Sequence, residues 1–151
     1  MKRKRMIWYI PLAVLLVLAV LAAYIYKEYN RTYEDTAEIK PDYSVTAASL
    51  LKEFEMDEPA SNKKYWDKVI LVNGMVKDRV KDDRGLYSLI LGDTASMSSV
   101  RCNMDSVHNK EASAVKKGDQ LSMKGICTGF NADELLGSDV ILVRCVVYSK
   151  K

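Results

Sequence analysis

The chain has 151 residues, with 23 basic and 20 acidic side chains and a formal net charge of +3. This length allows one modest folded domain plus appendages. A single histidine, His108, excludes most catalytic and metal sites that are built from histidines. Four of the positive charges lie in residues 2–5, so residues 27–151 carry 19 basic and 20 acidic side chains, a net charge of −1. A neutral body argues against a general polyanion-binding protein.

Residues 6–26 form an uncharged run of 21 residues that is apolar except for Pro11. As a helix, this run is about 31 Å long and matches a bilayer core of about 30 Å. Trp8 at one end and Tyr26 at the other are typical of membrane interfaces. The alternative is a cleaved signal peptide, but its apolar core is usually shorter, about 7 to 15 residues. We therefore predict an uncleaved transmembrane helix.

The charges on either side of this run predict its orientation. Four basic residues precede it, and only Lys27 and Arg31 follow closely. The positive-inside rule then keeps residues 1–5 as a cytoplasmic tail and places the rest of the chain on the other side. We expect a single-pass protein of the bacterial inner (cell) membrane, with the lipid bilayer as the partner of residues 6–26. The polar residues 27–43 predict a stalk, and residues 44–151 the folded domain.

From Ser44 onward, apolar residues recur at helical spacing, and Ser44 or Thr46 is a suitable helix cap. The predicted apolar face consists of Ala47, Leu50, Leu51 and Phe54. Pro59 should break this helix or begin a short second one that reaches Tyr65.

After Trp66 the sequence predicts strands. The five predicted strands are residues 69–76, 86–91, 100–104, 120–130 and 140–148, with a charged connection at 77–84 and a short helix within 105–115. The order β-β-β-α-β-β is that of an OB-fold, a partly open Greek-key barrel. Gly74 and Gly125 fit the bends of its long first and fourth strands. The predicted fold class is mainly β with helices: a transmembrane helix, an amphipathic helix and a five-stranded OB barrel.

Several short motifs follow one another in order along residues 44–149. They are Leu50-Leu51-Lys52-Glu53-Phe54, Asn62, Tyr65, Lys68-Val69, Val72-Asn73-Gly74-Met75-Val76, Val100-Arg101-Cys102, Lys117-Gly118-Asp119, Lys124-Gly125-Ile126-Cys127-Thr128-Gly129 and Asp139-Val140 to Cys145. Together they resemble the tRNA-anticodon-like OB-fold family, whose members often look like small bacterial envelope proteins or lipoproteins of unknown function. The resemblance implies an OB fold. It does not by itself imply tRNA binding, and with an extracytoplasmic domain nucleic acid is not the expected partner.

Ligands of OB-folds usually bind on the face of the second and third strands, flanked by two loops. If Cys102 points inward, Arg101 and Asn103 point outward. We expect them to form a recognition patch with Tyr87, flanked by Phe130. An aromatic ring with a nearby arginine is suited to stacking on a base or sugar. An ordinary exposed surface is the alternative interpretation of the same residues.

The three cysteines are compatible with two states. OB topology places the fifth strand between the third and the fourth, so Cys145 neighbours both Cys102 and Cys127. In an oxidising compartment, a Cys127–Cys145 disulfide would close a loop of 17 residues, with a stabilisation of up to about 3 kcal/mol. The alternative is three buried thiols. No C-x-x-C or Cys–His spacing supports redox or zinc chemistry, so no metal is expected.

These features predict a non-enzymatic binding or interaction module of the bacterial envelope, with a peptide, a glycan or an envelope protein as partner. No nucleophile–base pair or phosphate loop is recognisable, and no cofactor is expected. The runner-up is a haem-handling protein, since the cytochrome c maturation haem chaperone is similar in architecture. Its haem-binding histidine, however, lies in a tail beyond the barrel, whereas His108 lies between the third and fourth strands. Reversed topology would indicate a nucleic-acid-binding OB domain.

Overall fold

The computed structural model of the chain describes residues 14–26, 35–133 and 135–148. The chain divides into two compact units, one ending at Glu34 and one beginning at Asp35.

In the first unit, residues 14–26 form helix α1. Its large aliphatic side chains are exposed, from 50% at Leu21 to 67% at Leu15. Within the described residues, no helix is both long enough and apolar enough to cross a membrane. Residues 6–13 of the predicted transmembrane span and residues 27–34 of the predicted stalk lie outside the described residues.

The second unit contains the predicted OB barrel. Its elements are β1 (Tyr43–Thr46), α2 (Ala47–Met56), α3 (Glu58–Tyr65), β2 (Val69–Lys81), β3 (Tyr87–Leu91), β4 (Ser99–Met104), a 3-10 helix (Glu111–Ala114), β5 (Gln120–Asn131) and β6 (Asp139–Tyr148). Strands β2, β3, β4, β6 and β5 are hydrogen-bonded in that order, and β5 returns to β2 to close the barrel. The predicted mainly β fold with a five-stranded barrel is confirmed.

The long strand β2 closes the barrel because it pairs with two different strands. Its first half is antiparallel to β5, with Val69 opposite Ile126. Its second half is antiparallel to β3, with Lys81 opposite Tyr87. Strand β1 is parallel to the first half of β2, which leaves β1 as an additional strand outside the five-stranded barrel.

Three element boundaries differ from the sequence prediction. Strand β2 continues to Lys81 through residues that were expected to form a charged connection. Its charged end is stabilised because the Arg79 side chain is hydrogen-bonded to backbone carbonyls at the barrel end. Its guanidinium donates hydrogen bonds to the carbonyls of Ala112, Ser113 and Val115, at 3.3, 2.5 and 2.9 Å. The helix expected within residues 105–115 is only a four-residue 3-10 turn. Strand β1 is formed by Tyr43, which was assigned to the stalk, and by residues 44–46, which were expected to cap the first helix.

Local signals place helices α2 and α3 where the sequence predicted them. The Thr46 hydroxyl caps α2 by accepting a hydrogen bond from the Ser49 N–H at 3.2 Å. The Asp57 carboxylate caps α3 in the same way through the Ala60 N–H at 2.9 Å, and Pro59 lies in the first turn of α3. A proline costs little there because its missing N–H would have no helical partner.

The barrel interior is filled by apolar side chains. Its core includes Leu50, Leu51, Phe54, Ile70, Val72, Val76, Leu89, Leu91, Val100, Cys102, Met123, Cys127, Val140, Leu142 and Cys145. Gly125 permits the close approach of two strands at a bulge between β5 and β6. A Cβ atom at this position would lie 2.5 Å from the Cys145 Sγ and 3.3 Å from the Val143 carbonyl oxygen. Gly125 is therefore required by packing against β6.

The folded unit also includes residues that were expected to belong to the stalk. The His108 ring lies between two carboxylates: its Nε2 is 2.9 Å from Asp35 Oδ2, and its Nδ1 is 2.9 Å from Glu111 Oε1. The buried Lys124 ammonium donates to the carbonyls of Ala37 and Ile39, at 2.7 and 2.8 Å. These contacts hold residues 35–39 against the barrel, so these residues belong to the same compact unit as the barrel.

The pKa values of these groups reflect the same contacts. Hydrogen bonds that the His108 ring donates to the carboxylates of Asp35 and Glu111 raise the pKa of His108. Hydrogen bonds from the Ala37 backbone and from His108 lower the pKa of Asp35. Burial lowers the pKa of Lys124, which the charge of Asp35 partly opposes. Since both ring nitrogens face carboxylates, protonated His108 can donate to both, whereas the neutral ring can donate to only one.

The Gly125 packing predicts a non-additive double-mutant cycle. Gly125→Ala should lower the free energy of unfolding by about 1–3 kcal/mol, because the added methyl group overlaps the Cys145 Sγ. In a Cys145→Ala background that atom is absent, so the same change should cost clearly less. Urea unfolding of the four proteins measures both values. Equal costs in the two backgrounds would contradict the proposed overlap.

The His108 contacts predict a pH-dependent attachment of residues 35–39. Because the folded-state pKa of His108 is raised, its contribution is complete below the unfolded value of about 6.5 and is lost as pH rises through the folded value. The lowered pKa of Asp35 means that its contribution is lost only in acid, below about 3.9. Hydrogen exchange of the Glu38 amide, which donates to the Asp35 carbonyl at 2.9 Å, should therefore accelerate above neutral pH beyond its intrinsic rate.

His108→Gln should remove that pH dependence and leave fast exchange throughout the range. Glu111→Gln retains the Asp35 contact and should retain more protection. Unchanged protection in His108→Gln would show that the histidine does not hold the segment.

Candidate ligand-binding face

The outer side of strands β3, β4, β6 and β5 presents a mixed polar and apolar surface. Directly opposite residues on neighbouring strands point to the same side of a sheet. One row across the sheet runs from Ile90 through Arg101 and Ile141 to Gly129. The outer face is defined here by this row and its neighbours Ser88, Asn103, Val143 and Ile126. Most of these side chains are half-buried, so they remain accessible to a ligand.

Arg101 and Asn103 both lie on the outer face and are held there by neighbouring side chains. The Arg101 guanidinium is 3.2 Å from the Asp139 carboxylate, which also accepts a short hydrogen bond from the Ser99 hydroxyl. The Ser88 hydroxyl donates to the Asn103 amide oxygen at 2.8 Å. The Arg101 side chain is still 40% exposed. Its charge is thus positioned at the surface by a carboxylate and is not enclosed.

Trp66 is an aromatic residue of this surface that the sequence analysis missed. It follows the last residue of α3 and is 58% exposed. Its ring atom Cζ3 would lie 3.3 Å from a Cβ atom at Gly129, so the indole occupies the space of the missing side chain. Gly129 has φ +144°, a conformation that L side chains rarely adopt. One feature of the sequence could have indicated this contact. A glycine within a strand, such as Gly129, often marks a position where another group approaches the backbone closely.

Tyr87 lies on the other side of the sheet from Arg101 and Asn103, which corrects the predicted patch. It shares the inward side of β3 with Leu89, whose partner on β4 is Cys102. Its ring packs partly against the core at the barrel end. Lys81 and Arg79 flank the ring, with Lys81 Nζ at 5.4 Å and Arg79 Cζ at 5.3 Å from its centroid. The strand alternation therefore separates Tyr87 from the outer face.

Phe130 is likewise not available as a flanking aromatic. It belongs to β5, and its ring is stacked on the Phe54 ring of α2 with centroids 5.2 Å apart. The prediction that Phe130 flanks the patch did not account for the packing of α2 against the barrel. Of the four predicted site residues, the structure brings together Arg101 and Asn103 and places Tyr87 and Phe130 in the core packing.

The three cysteines are buried free thiols in the structure. Cys127 is opposite Leu142 on β6, and Cys145 is opposite Met104 on β4. This register, with its bulges, does not pair Cys127 with Cys145, and of the two states considered from the sequence the structure has the three buried thiols. Burial raises the pKa of the Cys127 thiol, and burial together with a hydrogen bond to Cys102 raises that of Cys145.

The electrostatics of the folded unit offer little attraction to polyanions. Residues 35–151 carry 17 basic and 18 acidic side chains. Among the described residues, no group of three or more histidine, cysteine, aspartate or glutamate side chains is placed to hold a metal ion. The outer face can instead supply stacking through Trp66, apolar contact through Ile141 and a charged donor through Arg101.

Comparison with known proteins identifies the family of the chain. The sequence pattern of the tRNA_anti-like family matches residues 1–147. The chain belongs to the tRNA_anti-like family. No curated protein matches its sequence.

The solved structures similar to this tRNA_anti-like protein have low sequence identity to it, and the first of them has a TM-score above 0.5. A lipoprotein of Klebsiella pneumoniae subsp. pneumoniae MGH 78578, to which nucleic-acid binding is ascribed, has a TM-score of 0.53 at 16% identity and covers 79% of this chain and 100% of its own. The OBody AM3L09, bound to hen egg-white lysozyme, has a TM-score of 0.44 at 14% identity. The match covers 80% of this chain and 98% of the OBody chain. Asparaginyl-tRNA synthetase from Pyrococcus horikoshii has a TM-score of 0.38 at 16% identity. The match covers 56% of this chain and 20% of the synthetase chain.

Proposed function

We propose that this tRNA_anti-like protein is a non-enzymatic binding module, anchored by residues 6–26 in the bacterial cell membrane, whose OB domain lies outside the cytoplasm. The outer face binds the ligand, a glycan or peptide of the envelope. The observation that carries the binding proposal is the exposed indole of Trp66, seated on Gly129 on the same side of the sheet as Arg101.

Two observations support the membrane anchor. Residues 6–26 contain no charged side chain, and the basic residues 2–5 precede them. The apolar side chains of α1 are at least half exposed, which is unfavourable in water and favourable in lipid. The Klebsiella pneumoniae neighbour is itself described as a lipoprotein, which is compatible with an envelope role.

The packing of the barrel supports a ligand on its outside. Core side chains fill the interior, so a ligand inside the barrel would have to displace them. Outside, an indole, a guanidinium and half-buried aliphatic side chains form the combination that binds amphipathic rings and short peptides. The charge of −1 over residues 35–151 favours a neutral or weakly charged ligand over a polyanion.

The proposed topology predicts which positions react with a thiol reagent in intact cells. The three native thiols are buried and should not react while the protein is folded. Val107 is 77% exposed, so Val107→Cys in the full chain should be labelled by a membrane-impermeant maleimide in intact spheroplasts. A matched Lys4→Cys protein should be labelled only after lysis. The reverse pattern would overturn the topology and favour a cytoplasmic nucleic-acid-binding domain.

The proposed binding role predicts a response of Trp66 to an envelope ligand. In a Trp8→Phe protein, Trp66 is the sole tryptophan. A disaccharide peptide derived from peptidoglycan should change its fluorescence, and Arg101→Ala should weaken binding about tenfold or more, because a charged hydrogen bond is lost. The exposed Arg84→Ala is the matched control and should bind normally.

A decathymidylate serves as the competing probe in the same titration. A response to this oligonucleotide but not to the disaccharide peptide would overturn the glycan or peptide assignment in favour of nucleic acid. A response to neither probe would overturn the outer face as the ligand site.

A further inference from the structure

A second exposed surface lies at the barrel end where β4 and β6 begin. Two loops, residues 92–98 and 132–138, meet there. The Ser138 N–H donates to the Ser98 hydroxyl at 3.2 Å, and the Ser99 N–H donates to the Ser138 carbonyl at 2.9 Å. A Cβ atom at Gly137 would lie 2.5 Å from the carbonyl carbon of Met97, so only glycine allows this contact. The two loops are thus locked together.

The locked loops present three large apolar side chains to solvent. Met97 is 67% exposed, Leu135 is 84% exposed and Leu136 is 77% exposed. These three residues are named the tip surface. The Asp133 carboxylate accepts hydrogen bonds from the backbone N–H groups of Leu135 and Leu136, both at 2.8 Å. The turn that displays the two leucines is therefore held by specific contacts, and grouped exposed apolar side chains of this kind mark interaction sites.

The charges around the tip surface are acidic. Glu55 lies at the end of α2 and accepts a hydrogen bond from the Ser98 hydroxyl at 2.9 Å. Asp93 and Asp133 belong to the two loops, and neither loop contains a basic residue. The nearby Lys77 ammonium donates to the carbonyls of Ser96 and Ser98 at 2.6 and 3.0 Å, and its single positive charge offsets only part of this negative charge.

This combination of charge and apolar surface selects one kind of partner. An anionic lipid surface would be repelled by the carboxylates, and a second copy of the chain would place like charges against each other. The tip surface is also at the barrel end opposite Asp35, where residues 35–39 are attached. A protein segment with basic and large apolar side chains would gain both apolar burial and ion pairing.

We propose that the tip surface binds a protein segment that carries both basic and large apolar side chains. The proposal goes beyond ligand binding on the outer face, because neither Trp66 nor Arg101 belongs to the tip surface. The two sites would allow the module to hold a ligand on its side while its end is attached to a partner protein.

Photocrosslinking in cells tests this proposal with the full chain. Benzoylphenylalanine is introduced at Leu136, and in a second protein at Val107, which is also 77% exposed but lies near the opposite barrel end. We expect a crosslinked protein at position 136 only. Mass spectrometry should map the crosslink to a segment with lysine or arginine next to large apolar residues.

Two further substitutions separate the apolar from the electrostatic part of the interaction. Leu135→Ser should lower the crosslink yield about tenfold or more, since a buried leucine contact is lost. Glu55→Lys should lower it about two- to fivefold, and Glu55→Gln by less, because exposed ion pairs contribute modestly. Unchanged thermal unfolding of these variants establishes that the loops remain folded.

Several results would overturn the proposal. The first is a crosslink from position 136 to lipid, to a second copy of the chain or to an acidic protein segment. The second is an equal crosslink yield at position 107. The third is the absence of any crosslink at position 136. Because Arg101 and Trp66 are intact in all of these proteins, such a result would leave ligand binding on the outer face unaffected.

Discussion

Closure of the barrel by the pairing of β2 with β5 is the constraint on which the rest of the structure depends. The pairing requires β2 to turn from one neighbour to another along its length, and Gly125 of β5 lies opposite Ile70 of β2 at the point where β5 also packs closely on β6. The small space left inside is filled by core side chains. A filled interior leaves only the outside of the barrel for binding, and this is where the accessible tryptophan, arginine and exposed leucines are found.

The same fold separates the two proposed binding surfaces from residues 35–39. Strands β4 and β6 are parallel, so their starts lie at one barrel end and their finishes at the other. The loops of the tip surface lie at the first end, and the His108 contacts that hold residues 35–39 lie at the second. The outer face occupies the strands between them. Residues with different roles therefore do not compete for the same part of the fold.

Local features of the structure were predictable because their causes are local. A hydroxyl at Thr46 caps a helix wherever it occurs, and Pro59 favours the first turn of one. Strand β2 was predicted too short because its charged end is stabilised from elsewhere: Arg79 bonds to carbonyls more than thirty residues away. The packing of Phe130 on α2 and the seating of Trp66 on Gly129 are likewise contacts between distant segments, and no spacing within either segment encodes them.

By itself, the sequence determined the family, the order of the five barrel strands, the positions of the two helices that precede them and the separation of four positive charges from a neutral body. These features follow from short-range periodicity, capping chemistry and composition, and all three signals lie within short segments of the sequence. Only the tertiary structure decided which candidate side chains face outward together. Strand register directed Tyr87 inward and left Arg101 outside, and the ends of distant loops created the tip surface. Which side a residue faces depends on its partner strand, and pairing between strands distant in sequence is decided by the packing of the whole barrel.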